Sequence, residues 1–312
     1  ADGRRAKAVC PAPLVPAPRL GWARARGGRS PRERCGMVRA MSASTSARDR
    51  VRLAADCLEI AERASRLALA GYRRRPDVEE KAAHDLVTKY DLQSQELAVA
   101  LLGERYPGVA LVAEETADPL APMPAGLSFT VDPIDGTTNF AHGHPFWCTA
   151  IAALFDGVPI AGAVVAPALS TRWHGHAPCD DGSAGLALRD GVPCAVSATT
   201  RLDRALVATG FPPDRSTAPA NNFDSFMSVK KRARAVRRCG SAAIDVCFVV
   251  DGTYDAYWER RVHVWDVAAG GALLLAAGGR ASAISGGPID WARGQLVISN
   301  GKVHDELIEA IG

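Results

Sequence analysis

The feature that most constrains this chain is an apolar segment followed closely by two aspartates. Residues 127–131 are apolar, β-branched or aromatic with a short alternation, which predicts a β-strand. Asp132 follows directly, Pro133 is expected to end the strand, and Gly136 permits a tight turn just after Asp135. The sequence therefore predicts two carboxylates at the end of a strand, and oxygen ligands of this kind suit Mg²⁺ better than zinc or copper.

A second pair of acids follows another predicted strand. Residues 109–113 are apolar, and Glu114 and Glu115 come directly after them. Paired acids at such a position commonly form a solvated turn and nothing more. If the two strands are neighbours, however, all four carboxylates meet at one edge, where like charges raise each other's pKa. A divalent cation relieves that repulsion, so the two pairs together predict a metal site.

The rest of the chain mixes helical and strand patterns. Helical periodicity predicts amphipathic helices over residues 49–71 and 91–106. After the central motif the strand signals dominate, with a hairpin at Asp156-Gly157 and a loop over residues 178–191. This alternation predicts a mixed α/β fold.

We call the sheet edge expected to carry Glu114, Glu115, Asp132 and Asp135 the acidic edge. Three helix starts carry residues that could act there. The small residues that begin at Gly240 precede a helix predicted from residue 244, where they either expose N–H groups to a phosphate or allow close packing. Asp91 and Asp266 lie at or near helix N-termini, where an aspartate caps the helix by default. Asp266 becomes a metal ligand only if its helix points at the acidic edge.

The net charge of +3 conceals an uneven distribution along the chain. Residues 1–48 hold ten Arg and one Lys against two acids, which leaves 26 basic and 32 acidic residues in the remainder. The basic run at residues 230–234 is therefore interpreted as a solvated helix end, and we expect no nucleic-acid partner. The arginine-rich start predicts a chloroplast or mitochondrial transit peptide; the alternatives are a disordered extension, or a true start at Met37 or Met41 and a cytoplasmic protein.

Cysteine, histidine and apolar patterns limit other functions. The eight cysteines form no C-x-x-C pair, so we expect them to be reduced and mostly buried, with a redox pair of Cys179 and Cys194 as the alternative. No histidine pairs with Cys, His or a carboxylate at zinc-ligand spacing. The apolar stretch at residues 267–279 is too short and too rich in glycine to span a bilayer, so we expect no membrane anchor.

Four motifs, in this order, resemble the signatures of the inositol monophosphatase family of Mg²⁺-dependent, lithium-sensitive phosphatases. They are Asp85 to Asp91, Glu114-Glu115, Asp132-Pro133-Ile134-Asp135-Gly136-Thr137-Thr138-Asn139-Phe140 and Trp265-Asp266-Val267-Ala268-Ala269-Gly270. One such motif is moderately specific, whereas four in order make chance agreement implausible. The resemblance implies a phosphatase domain over residues 49–312, with the αβαβα layered sandwich of inositol monophosphatases and fructose-1,6-bisphosphatases.

The resemblance also implies two to three Mg²⁺ ions per active site. Glu114, Asp132 and the carbonyl of Ile134 would hold one ion. Asp132, Asp135 and Asp266 would hold the second, so that Asp132 bridges the two. A third, weaker ion would also use Glu114.

The catalytic roles carried over by the resemblance fall on three residues. Asp91, Thr137 and Glu114 would position a water that a metal ion activates for in-line attack on phosphorus. The residues implied in substrate binding are Asp135, Gly136, Thr137, Gly240, Ala242 and Glu259. The first three surround the phosphate, and the last three match positions that touch the sugar hydroxyls.

The implied reaction is hydrolysis of inositol monophosphate, or a similar small polyol phosphate, to the free alcohol and phosphate. A histidinol-phosphate phosphatase of the same superfamily is the alternative, because Glu259 would also tolerate an amine. A catalytically silent phosphate-sensing protein is the alternative from another class. The segments Val236 to Gly240 and Ala256 to Arg261 are most similar to plastid-type members of plants and algae. The family further implies a homodimer.

Overall fold

The computed structural model describes residues 45–74, 76–82 and 85–312. The predicted transit segment, residues 1–48, lies almost entirely outside this range. The helices are α1 (Ala47–Leu69), α2 (Lys89–Arg105), α3 (Thr137–His142), α4 (Phe223–Arg232), α5 (Ala242–Val250), α6 (Val264–Leu274) and α7 (His304–Ile311). The strands are β1 (Val78–Ala82), β2 (Asp85–Thr88), β3 (Ala110–Ala113), β4 (Leu127–Asp135), β5 (Cys148–Phe155), β6 (Val158–Ala166), β7 (Thr171–His176), β8 (Leu186–Arg189), β9 (Val192–Pro193), β10 (Leu206–Thr209), β11 (Ala235–Arg237), β12 (Ala256–Arg260), β13 (Arg280–Ala283) and β14 (Gln295–Ser299).

The larger sheet contains seven strands in the order β3-β4-β5-β6-β7-β8-β9. Strands β3 and β4 are parallel, with Ala113 opposite Val131, and every other neighbouring pair is antiparallel. Because β3 and β4 run in the same direction, the residues that follow Ala113 and Val131 emerge at the same edge. The predicted meeting of the two acid pairs at one edge is therefore confirmed.

The smaller sheet contains five strands in the order β11-β10-β12-β14-β13. Strand β10 is parallel to both β11 and β12, whereas β14 is antiparallel to β12 and β13. A separate two-stranded ribbon, β1-β2, precedes α2. Strand β12 carries Glu259 and pairs it with Leu296 of β14, so that this side chain belongs to the centre of the smaller sheet.

The helices and sheets form five layers. Helices α1 and α2 cover one face of the large sheet, and α5 and α6 lie between the two sheets. Helices α4 and α7 pack on the outer face of the small sheet, where Val229, Leu307 and Trp258 share a core. The apolar faces of both sheets are thereby buried on two sides, and the predicted αβαβα sandwich is confirmed.

Strand β4 contradicts the expectation that Pro133 ends the strand. The strand continues to Asp135, and its pairing with β5 shifts register because two residues lie between Asp132 and Asp135 but only one between their partners. Proline lacks the N–H that a regular ladder needs, and a bulge is a place where a strand tolerates it. The Pro133 carbonyl still accepts a hydrogen bond from Thr149 Oγ1 at 2.8 Å. The bulge carries the chain on to Asp135.

The region predicted as a loop over residues 178–191 contains a strand. Strand β8 pairs with β7, and it turns into β9 through Asp190-Gly191, where both residues have positive φ. The same turn chemistry occurs at Asp156-Gly157, where the predicted hairpin is confirmed. The sequence signal for this turn is present at Asp190-Gly191, but the flanking strands are too short to be distinguished from a loop by their sequence.

The described cysteines are all free, and four of these six are buried. Cys179 and Cys194, the alternative redox pair, are both free thiols in the structure. Burial raises the pKa of the Cys194 thiol to about 11, which makes it unreactive at neutral pH. Within the described part of the chain, no helix is long and apolar enough to cross a membrane.

Candidate active site

The acidic edge begins where β3 and β4 leave the large sheet. Glu114 follows β3 directly, and its N–H donates to the Val131 carbonyl at 3.0 Å, which fixes the first residue after the strand beside β4. Asp132 lies next to Val131 and is only 1% exposed. Burial, together with repulsion from Glu115, raises the pKa of Glu114 to about 7 although Lys81 opposes the shift. The two strand ends therefore bring carboxyls together, as predicted.

Helix α6 points its first turn at this edge. His263 is the N-cap, and Asp266 accepts the His263 N–H at 2.7 Å through Oδ2. One carboxylate oxygen from each of Asp132, Asp135 and Asp266 lies within 4.8 Å of the other two. Asp266 is thus the third helical residue, where it closes the capping box with His263, and it also reaches the acidic edge.

The chemistry of this cluster fits a hard divalent cation. All of its donors are oxygen atoms, and Asp132 Oδ1 is buried without a hydrogen-bond partner among the described residues. Burial raises the pKa of Asp132 well above its ordinary value, and repulsion by Glu114, Asp135 and Asp266 raises it further. Three mutually repelling carboxylates with an unpartnered oxygen are what a bound Mg²⁺ ion would neutralise.

Asp135 is held by the start of helix α5. Its Oδ2 accepts hydrogen bonds from Ser241 Oγ at 2.6 Å and from the Ala243 N–H at 2.7 Å, and the Cys148 thiol donates at 3.9 Å. Burial raises the pKa of Asp135 to about 6 in spite of these donors. The start of α5 was predicted to offer free N–H groups to a phosphate, but the Ala243 N–H there donates to Asp135 instead.

The turn after β4 depends on glycine. Gly136 has φ +97°, and a Cβ there would lie 2.9 Å from the Gly240 carbonyl oxygen and 3.1 Å from the Phe146 carbonyl oxygen. Only glycine combines this backbone conformation with such a close approach. The turn starts helix α3 at Thr137, and it brings the β4 motif against the segment before α5.

Thr137 and Asp91 are in direct contact. Thr137 Oγ1 lies 3.0 Å from Asp91 Oδ1 and 3.0 Å from the Ile134 carbonyl oxygen, so its single proton can be donated to only one of them at a time. Asp91 is fully buried, and that burial raises its pKa. The interpretation of Asp91 as an N-cap is wrong, because Thr88 is the N-cap of α2 and Asp91 is the third helical residue, which closes the capping box. This leaves Asp91 Oδ1 for Thr137.

The residues predicted to contact the leaving alcohol lie on the opposite wall. Gly240 and Ala242 flank Ser241 at the start of α5, and Glu259 projects from β12. The Tyr257 hydroxyl donates to Glu259 Oε2, and a Cβ at Gly210 would lie 2.1 Å from Glu259 Oε1, so glycine leaves room for this carboxyl. Burial raises the pKa of Glu259 to about 7.

Two adjoining cavities connect these walls. One of about 640 Å³ lies at the acidic edge and is lined by Asp132, Ile134 and Thr137. The other, of about 320 Å³, is lined by Glu259 and Ala242. Both cavities are bordered by Glu114, Asp135, Phe211, Arg238, Gly240 and Asp266. Every residue predicted for the site except buried Asp91 therefore borders one continuous space between the two sheets.

Sequence reasoning missed several residues of this space. Ser241 holds Asp135, Lys81 Nζ lies 2.6 Å from Glu115 Oε2 and 3.5 Å from Glu114 Oε1, and Asp245 lines the smaller cavity. Ser241 belongs to the small-residue segment that the sequence marked as a helix start, so a signal existed there. The positions of Lys81 and Asp245 depend on how distant segments pack, and no local pattern marks them.

The fold and the site together define a metal-dependent phosphatase. The sequence model of the inositol monophosphatase family matches residues 49–312. The chain belongs to the inositol monophosphatase family, and it is a phosphoric monoester hydrolase.

Known proteins of this family are similar over most of the chain. Inositol-1-monophosphatase of Synechocystis is 37% identical over 235 residues, which are 75% of this chain and 79% of the relative. The Arabidopsis thaliana protein named phosphatase IMPL1, chloroplastic, is 31% identical over 261 residues, 82% of this chain and 70% of the relative. The structure of inositol monophosphatase from Anabaena superposes with a TM-score of 0.72 at 32% identity, covering 83% of this chain and 94% of that one.

Proposed function

We propose that the protein hydrolyses inositol monophosphate, or a closely similar polyol monophosphate, to the free alcohol and phosphate. The observation that carries this proposal is the continuous space in which an all-oxygen acidic edge faces Glu259 across Asp135 and Gly240. The names of the relatives in Synechocystis and Anabaena point to the same substrate. Residues 49–312 would form the phosphatase domain, in agreement with the span of the family match.

Two Mg²⁺ ions would be held by the acidic edge, with the ligands divided as the family resemblance implies. Asp132 would bridge the ions, Glu114 and the Ile134 carbonyl would serve one, and Asp135 and Asp266 would serve the other. A third ion would also use Glu114. When bound, Mg²⁺ lowers the pKa of a coordinated water and stabilises the charge that develops on the phosphate and leaving oxygens.

The protein's own groups then bind and orient the reactants. The hydroxyl of Thr137 lies between Asp91 and the Ile134 carbonyl. There it would orient the attacking water by accepting a hydrogen bond from it. Gly136 and Thr137 would bind the phosphate through backbone N–H and hydroxyl groups at the start of α3, beside Asp135, whose Oδ2 is held by Ser241 and the Ala243 N–H. Gly240, Ala242 and Glu259 would contact the hydroxyls of the leaving alcohol.

We further propose that the protein acts in the chloroplast as a homodimer. The arginine-rich residues 1–48 have the composition of a transit peptide, and the Arabidopsis relative is named chloroplastic. Import of the full chain fused to a fluorescent protein into isolated chloroplasts, with removal of the first residues, would support this location. Retention outside the organelle would contradict it.

A substrate panel tests the choice of substrate. The full chain is assayed with Mg²⁺ against inositol 1-phosphate, histidinol phosphate and fructose 1,6-bisphosphate. We expect inositol 1-phosphate to have the highest kcat/KM. A kcat/KM for histidinol phosphate that is higher by a factor of about ten or more would show that the leaving-group pocket recognises an amine instead. Binding of Mg²⁺ without any phosphate release would identify a silent sensor.

A further inference from the structure

Asp245 is a buried acid that the proposed chemistry does not use. It lies in the first part of α5, is 2% exposed, and its N–H donates to the Ser241 carbonyl at 3.1 Å. Its Oδ1 is buried without a hydrogen-bond partner among the described residues. Such an atom lowers the stability of the folded state, because it has lost water and gained nothing in exchange. Folding alone gives no reason for an acid here.

The cavity gives that reason. Asp245 lines the 320 Å³ cavity together with Glu259, and repulsion between the two carboxyls is the second cause, after burial, that raises the pKa of Asp245 well above its ordinary value. Glu259 is oriented by the hydroxyl of Tyr257, whereas Asp245 Oδ1 has no hydrogen-bond partner among the described residues. Two carboxyls from different elements therefore share the space next to Asp135, where the leaving alcohol would lie.

The remaining walls favour a neutral, hydroxylated ligand. This cavity is lined by the cations Lys81, Arg238 and Arg261 as well as by five acids, so its walls offer both hydrogen-bond donors and acceptors. A hydroxyl can both donate and accept a hydrogen bond, so it can pair with either kind of group. The chemistry of the walls matches an alcohol with adjacent hydroxyl groups.

We infer that Asp245 is a specificity-determining residue, which accepts a hydrogen bond from one hydroxyl of the leaving alcohol while Glu259 contacts a neighbouring hydroxyl. The pocket would then select cyclic polyol phosphates with adjacent hydroxyls over monoesters that lack them. This inference rests on the proposed function, because it assigns the substrate class of the same site.

The test compares two esters on the full chain in Mg²⁺. Inositol 1-phosphate carries the hydroxyls, and p-nitrophenyl phosphate does not. We expect Asp245→Ala to lower the ratio of kcat/KM for the first ester to that for the second about tenfold, the effect of one lost hydrogen bond. Asp245→Asn keeps an acceptor oxygen and should restore part of the ratio. Asp224→Ala, an exposed aspartate of α4, is the matched control and should leave the ratio unchanged.

A series of inositol phosphates that each lack one hydroxyl locates the contact. With the unaltered protein, one of these analogues should show the same loss of kcat/KM that Asp245→Ala shows with inositol 1-phosphate. The kcat/KM for that analogue should not fall further in Asp245→Ala. Thermal unfolding distinguishes a role in substrate recognition from a role in stability. Because Asp245→Ala removes an unpartnered carboxyl, its Tm should not be lower than that of Asp224→Ala.

Three results would overturn the inference. An unchanged ratio would remove Asp245 from recognition, and a parallel loss on both esters with a lower Tm would make it structural. A larger loss with histidinol phosphate than with inositol 1-phosphate would assign it to an ammonium group. Failure of the unaltered protein to release phosphate from either ester would instead refute the proposed function, and this inference with it.

Discussion

The acids at the edge of the large sheet are buried or half-buried, the acids in the cavity beside the small sheet are buried, and the hydrogen-bond partners of the two groups differ. At the edge, Asp135 and Asp266 each give one oxygen to a backbone N–H at the start of a helix. In the cavity, Glu259 is held by one hydroxyl and Asp245 Oδ1 by no group of the described residues. Asp132 Oδ1 at the edge is also unpartnered, but it lies beside acids with fixed donors, which suits a site that must keep one geometry for metal ions. The acids of the cavity have fewer fixed donors, which suits a site that distinguishes substrates.

Substitution at the centre of the edge should have the largest effect. We predict that Asp132→Asn lowers kcat/KM for inositol 1-phosphate more than about a hundredfold at saturating Mg²⁺, because even residues that only support a metal ligand cost ten- to a hundredfold. The same change should raise the Tm of the metal-free protein, since it removes one of several repelling carboxyls. Activity close to that of the Asp224→Asn control would show that Asp132 is no ligand.

A smaller loss is expected at Asp135, whose Oδ2 is already held by Ser241 and the Ala243 N–H. Asp135→Asn should lower turnover at least about tenfold through loss of a charged ligand. Steady-state assays over a range of Mg²⁺ concentrations measure the effect. Near wild-type turnover at saturating Mg²⁺ would rule out this assignment.

Ser241 tests whether the helix start positions Asp135 for the metal. Its hydroxyl donates to Asp135 Oδ2 at 2.6 Å, so Ser241→Ala should weaken the apparent affinity for Mg²⁺ by up to about tenfold and affect KM for the substrate less. Ser241→Thr keeps the hydroxyl and should recover most of that affinity. A loss that appears equally in every parameter, and that threonine does not recover, would indicate a packing defect.

The smallest expected effect is a change of Tm with pH in the metal-free protein. Bound Mg²⁺ should remove part of this change. The folded-state pKa values of Glu114 and Asp135, about 7 and about 6, lie above their ordinary values, so the metal-free protein binds more protons when folded. The stabilisation is complete below the ordinary carboxyl pKa and is lost as pH rises through 6 and 7. We predict that Tm of the metal-free protein falls by about 4 °C or more between pH 5 and pH 8.

Saturating Mg²⁺ should flatten the part of this slope that comes from the edge, because the ion holds those carboxyls ionised. The part that comes from Glu259, whose pKa is also about 7, should persist with Mg²⁺ and disappear in Glu259→Gln. Thermal unfolding at a series of pH values, with and without EDTA, measures both parts. A Tm that rises over the same pH range without metal would contradict the sign of these shifts.

The difference between the two regions also explains what the sequence could predict. The edge depends on residues directly after apolar strands, and because β3 and β4 are parallel neighbours, the local signals at Glu114 and Asp132 were sufficient. The layers of the sandwich came from the family resemblance, since periodicity alone indicated only mixed α/β. Pro133 misled the prediction because a bulge, which depends on the partner strand β5, keeps the strand going to Asp135.

The cavity could be predicted only in part. Gly240 and Glu259 came from the resemblance, but Asp245 resembles any polar residue on the first turns of a helix. Its buried, unpartnered position arises because α5 is packed between two sheets whose strands are far apart in the chain. Strands β13 and β14, which complete the small sheet around β12, were also missed, because their short segments carry weak signals and pair only with each other and with β12.

The most direct test of the metal-dependent mechanism is phosphate release from inositol 1-phosphate by the full chain as Mg²⁺ is added back after EDTA treatment. We predict no release before addition, and a rise with Mg²⁺ that is steeper than for a single ion, because the proposed mechanism would need two ions, both held by Asp132. Asp132→Asn should abolish that rise. Undiminished release in EDTA, or no release at any Mg²⁺ concentration, would contradict the assignment of the acidic edge as the catalytic metal site.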